Sequence, residues 1–121
     1  MEAASILEDI ARIIKDCSVP DWDGYGAEAL TEAVVEPCKR FLAALPDSCA
    51  RPWAGPENDG CIAFEWENGS NWLLSASVKL NGEISWAGIV GGERLSGTFP
   101  MADGLPEKFV SAVMKFKEEQ P

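Results

Sequence analysis

Between Cys61 and Phe99 large apolar and small or polar residues alternate. Ile62, Phe64 and Trp66 are separated by Ala63 and Glu65, and Trp72, Leu74, Ala76 and Val78 by Leu73, Ser75 and Ser77. A strand projects successive side chains to opposite faces, so this spacing predicts extended chain with its bulk on one side. Turn residues divide the stretch at Asn68-Gly69-Ser70, Asn81-Gly82 and Gly91-Gly92. A four-stranded antiparallel meander follows.

Partners across a ladder share a face, and this restricts the register. A three-residue first connection pairs Trp66 with Trp72, Phe64 with Leu74 and Ile62 with Ala76. In the second hairpin a two-residue loop mixes the faces. A three-residue loop, Leu80-Asn81-Gly82 with Gly82 left-handed, instead pairs Val78 with Ile84 and Ala76 with Trp86. A two-residue Gly91-Gly92 turn sets Gly88 against Leu95 and Ile84 against Phe99. The opposite face carries Ala63, Ser75, Ser77, Ser85 and Ala87, with Leu73 and Ile89 as its apolar exceptions.

The remaining periodicity is helical. Ile6, Ile10, Ile13, Ile14 and Cys17 predict an amphipathic helix from residue 3 to about 17, with Glu8 and Arg12 paired on its polar side. Val34, Cys38, Phe41, Leu42 and Leu45 predict a second helix from Thr31 to about Leu45. Pro37 conflicts with it and demands either a kink or a start near Val35. Phe109, Val113 and Phe116 predict a third helix with Pro106 in its first turn. The Pro- and Gly-rich segment from Asp47 to Gly60 is an irregular connection with room for a short edge strand around Trp53. The order is ααββββα, an α+β single domain over residues 1–121 with its helices on the apolar face of the sheet.

Composition changes the functional picture. The formal charge is −10, and residues 1–67 hold 14 acids and 5 bases. Asp16, Asp21, Asp23, Glu28, Glu32 and Glu36 fall between Lys15 and Lys39 with no base among them. Glu57, Asp59, Glu65 and Glu67 form a second base-free run. Such a chain repels nucleic acid and anionic membranes, and its natural complement is a basic partner. With no histidine and no C-x-x-C among Cys17, Cys38, Cys49 and Cys61, neither a metal site nor a cysteine nucleophile is expected. No cofactor is implied. The N-terminus lacks a basic leader and no apolar run is long enough to span a bilayer, so cytoplasm is the expected location.

Three segments carry a resemblance: Trp22-Asp23-Gly24-Tyr25-Gly26-Ala27, Phe41-Leu42-Ala43-Ala44-Leu45-Pro46, and Asp59-Gly60-Cys61-Ile62-Ala63-Phe64-Glu65-Trp66. Together they resemble a pattern in small prokaryotic and phage-associated proteins of unassigned function, which implies a single α+β domain. In size and acidity the chain also looks like the anti-CRISPR proteins that phages direct against bacterial defence complexes. That likeness implies a basic, nucleic-acid-binding target such as a CRISPR effector subunit, met in the bacterial host cytoplasm.

Three functions compete on the residues. The first is a non-enzymatic inhibitor that meets a basic partner with Asp16, Asp21, Asp23, Glu28, Glu32, Glu36, Glu57, Asp59, Glu65 and Glu67. If helical, Glu28, Glu32 and Glu36 stand about 6 Å apart, near two steps of one DNA strand. The second is an antitoxin or accessory module docking through the small-residue sheet face, with a monomer favoured over a dimer. The third is a small hydrolase using Asp21 and Asp23 beside Trp22, against the simpler reading that both hold loop amides.

Overall fold

A computed structural model describes residues 3–116. Helix α1 (Ala3–Asp16) leads through a loop to a 3₁₀ turn (Glu32–Val34) and helix α2 (Val35–Ala44). Strands β1 (Trp53–Pro56), β2 (Ile62–Glu67), β3 (Trp72–Val78), β4 (Glu83–Val90) and β5 (Glu93–Pro100) follow. A second 3₁₀ turn (Met101–Asp103) and helix α3 (Glu107–Val113) close the chain. The fold is α+β: three helices on an open, five-stranded antiparallel sheet in sequential order β1-β2-β3-β4-β5.

The alternation is read out as expected, with one register correction. Val78 pairs with Ile84, Ala76 with Trp86, Gly88 with Leu95 and Ile84 with Phe99. Gly82 has φ 86°, and Gly82 N–H donates to Lys79 C=O at 3.0 Å, closing the three-residue loop. Gly91 and Gly92 have φ 61° and 87°, the pair of positive values a two-residue hairpin of matching twist requires. In the first hairpin, however, Trp66 faces Leu74 and Phe64 faces Ala76, two residues away from the expected pairing. Asn71 joins the connection, and Asn68 N–H donates to Trp72 C=O at 2.8 Å. The slip is even, so every side chain keeps its face. Trp72 packs instead edge-on to Phe116, with ring centroids 5.7 Å apart.

Pro37 poses no conflict, because the α-helix begins at Val35. Pro37 is then its third residue, where the missing N–H has no intrahelical acceptor to lose. Thr31 caps the preceding 3₁₀ turn, its hydroxyl accepting from Ala33 N–H at 3.3 Å. Pro106 sits one position before α3 rather than within it. Arg12 pairs with Asp9 at 3.4 Å rather than with Glu8.

One core joins the layers. Ile6, Ile10, Cys38, Phe41, Phe109 and Val113 from the helices are buried with Ile62, Phe64, Trp66, Leu74, Val78, Ile84 and Trp86 from the sheet. Phe109 lies at its centre, within 5.3–6.3 Å of the rings of Phe41, Trp66, Trp86 and Phe99. Trp86 lies across Gly97, where a Cβ would stand 2.8 Å from the indole nitrogen. No helix among the described residues is long and apolar enough to cross a membrane.

Candidate functional site, the acidic end of the sheet

In a meander the turns alternate between the two ends of the sheet. The β1–β2 connection, carrying Glu57 and Asp59, therefore shares an end with the β3–β4 loop, Leu80 to Gly82. Two further segments are tied to this end by backbone hydrogen bonds. Glu28 N–H donates to Asn58 C=O at 2.8 Å, and Leu30 N–H donates to Cys17 C=O at 2.9 Å. The first brings the loop from Asp21 to Leu30, the second the last turn of α1 with Asp16. A groove of about 370 Å³ between Glu36, Pro37 and Arg40 and the Leu80–Gly82 loop brings in the start of α2.

The loop from Asp21 to Glu28 is held by its own acids. Asp21 Oδ1 accepts from Gly26 N–H at 2.6 Å, and Asp23 Oδ1 accepts from Tyr25 N–H at 2.8 Å and Ala27 N–H at 3.1 Å. Trp22 donates from Nε1 to Glu28 C=O at 2.8 Å and packs against the core. Asp21 itself has φ 63°, a left-handed conformation that aspartate tolerates through local hydrogen bonding. The loop holds Tyr25 almost wholly in solvent, 92% exposed. Each aspartate thus spends an oxygen on backbone amides, the simpler of the two sequence readings. Asp59 repeats the device, accepting from Cys61 N–H at 3.2 Å.

Eight of the ten expected carboxylates therefore gather at one end: Asp16, Asp21, Asp23, Glu28, Glu32, Glu36, Glu57 and Asp59. Glu65 and Glu67 lie elsewhere, on the outer face of β2, exposed and directed away from the helices. The regular ladder of Glu28, Glu32 and Glu36 does not form. Thr31 is extended, at φ −129° and ψ 169°, so Glu28 precedes the cap and only Glu32 and Glu36 stand on helical turns. Among the described residues no lysine or arginine forms an ion pair with any of the ten. Glu36 and Arg40, one helical turn apart, form no ion pair. Glu57 Oε1 is buried with no hydrogen-bond partner among the described residues.

The surface is not purely polar. Val19, Tyr25 and Leu80, at this end, are 60%, 92% and 49% exposed. No charge pattern announces them; only their position on turns does. Trp53 is 73% exposed on β1, the short edge strand for which its segment has room.

All four cysteines are free and buried. Burial, with a contribution from neighbouring Cys61, pushes the Cys38 thiol up to about 12. Burial raises Cys61 as well, and Asp59 adds to the shift through a hydrogen bond and its charge. Among the described residues no group of three or more metal-ligating side chains converges. No family model, no curated protein and no solved structure matches this chain.

Proposed function

We propose that the chain is a non-enzymatic binding protein that offers the acidic end of its sheet to a basic, nucleic-acid-binding protein. The observation that carries this reading is the gathering of eight carboxylates at that end without an ion-pairing base among the described residues. Carboxylates in excess over the bases at this end, Arg40 and Lys79, steer a positively charged partner and speed encounter. Exposed Tyr25 and Leu80 supply what charge lacks, since tyrosine is enriched among residues that dominate interface energy. The aspartate-held loop presents Tyr25 in a fixed conformation, so little order has to be acquired on binding.

In this reading the carboxylates occupy the place of DNA phosphates on the partner, as an anti-CRISPR protein would on an effector subunit. The broken Glu28–Glu32–Glu36 ladder means that any such imitation comes from a patch rather than from a helical row. The test is capture of partners from bacterial lysate at low salt, with wild type set against a variant carrying Glu28→Gln, Glu32→Gln, Glu36→Gln and Asp59→Asn. A captured protein released by salt, displaced by duplex DNA and lost with the variant supports the proposal. Equal capture by the variant, or capture indifferent to salt, refutes it.

A further inference from the structure

The outer face of the sheet carries a self-complementary pattern that the acidic end does not explain. Its rows run across β2, β3, β4 and β5. One row reads Glu67, Leu73, Ile89, Arg94; the next reads Glu65, Ser75, Ala87, Ser96; the third reads Ala63, Ser77, Ser85, Thr98. The first row is thus acid, apolar, apolar, base. Leu73 is 39% exposed, and Glu65, Glu67, Ala87, Arg94 and Ser96 are exposed as well. An open depression of about 500 Å³ lies over Ser75, Ala87 and Ser96, walled by Leu73, Ile89 and Arg94.

We propose that this face pairs with a second copy of the chain. A two-fold axis lying between β3 and β4, parallel to the strands, turns the copy face down and exchanges β2 with β5 and β3 with β4. Glu67 then meets the partner's Arg94, Leu73 meets the partner's Ile89, and the same contacts recur with the roles reversed. The small second and third rows let the sheets approach. The other two-fold in the plane of the sheet, running across the strands, stacks β2 on β2. Centred on the middle row, it sets Glu65 against its own copy and takes Glu67 away from Arg94, so charge selects the first arrangement.

Four strands about 4.8 Å apart and three rows about 7 Å apart give a footprint of about 400 Å² per copy. The pair then buries about 800 Å², less than a stable specific interface, so the dimer is weak and transient. Two chains of charge −10 also repel each other at low ionic strength. Added salt therefore tightens this dimer, whereas it loosens a complex formed through the acidic end. Pairing on this face leaves that end free, so the two proposals fail separately.

Sedimentation velocity from about 1 µM to about 1 mM, in salt above physiological strength, reads the equilibrium. The weight-average mass is expected to rise from 13.1 kDa toward twice that value. Glu67→Arg and Arg94→Glu alone should each weaken association at least tenfold, and the two together should restore it, because the pair is only exchanged. Both sites are exposed, and unchanged thermal melting of each of the three variants verifies the fold. A monomer at every concentration overturns the proposal. So does a dimer indifferent to these substitutions, or a wild-type monomer whose face binds a different protein.

Discussion

Replacing Phe109 by alanine tests whether one side chain fastens α3 to the sheet. The helix has seven residues, too few to persist in water by itself, so packing must hold it. Phe109 is 0% exposed and meets four aromatic rings at 5.3–6.3 Å. Phenylalanine-to-alanine changes in cores cost about 3–5 kcal/mol, transfer and residual cavity together. The lost ring contacts are partly included in that figure, so we expect about 4 kcal/mol. A domain of this size has roughly 6–18 kcal/mol in total, so the loss is large without abolishing folding. Urea unfolding followed by tryptophan fluorescence is the assay, since Trp66 and Trp86 both touch the ring. With a slope of about 1.5 kcal/mol per molar, the midpoint should fall by about 2.5 M. Phe109→Leu, which keeps most of the volume, should fall by less than half as much. A midpoint lowered by under about 0.7 M in the alanine variant would mean that α3 is held by something other than this ring.

Other expectations follow from single contacts. Asp23→Ala should free the Tyr25 and Ala27 amides and raise their hydrogen-exchange rates, at a cost of about 1–3 kcal/mol in local stability. Asp23→Asn keeps an acceptor oxygen and should retain most of that protection; equal exchange in the two variants would refute the capping role. Pro37→Ala should shift stability by no more than about 0.5 kcal/mol, because no helical hydrogen bond is gained at the third position. A larger change in the urea midpoint would place Pro37 deeper in the helix than we describe. The Cys38 thiol is raised from 9.0 to about 12. Below pH 9 it is protonated in both states, whereas between pH 9 and about 12 only the unfolded chain ionises, so stability declines as pH rises. The limiting slope is about 1.4 kcal/mol per pH unit, and Cys38→Ala should remove that component from the pH series.

Much of the fold is legible in the chain because a strand's side chains alternate with a fixed period. Even and odd positions from Ile62 to Phe99 could be assigned to faces without coordinates. Turn chemistry at Asn81-Gly82 and Gly91-Gly92 then chose the pairing. At Asn68-Gly69-Ser70 the same logic chose Trp66 against Trp72, two residues from the pairing the chain adopts, because parity alone does not separate the two registers. The choice between them lay with Asn71 joining the turn and Trp72 packing against Phe116, a residue more than forty positions away. Pro37 demanded either a kink or a start near Val35, and the helix takes the second course.

The candidate site divides along the same line. Composition and spacing supplied the ten carboxylates and their lack of basic neighbours along the chain, since charge is a property of residues alone. They did not show that a loop, two turns and two helix termini would converge at one end of a sheet. Nor did they show that Glu65 and Glu67 would face the other way, toward a row ending in Arg94. Those placements depend on strand order and on hydrogen bonds such as Glu28 to Asn58, which join residues remote in sequence. Local pattern fixes which face a side chain takes; only the packed chain fixes which other faces lie beside it.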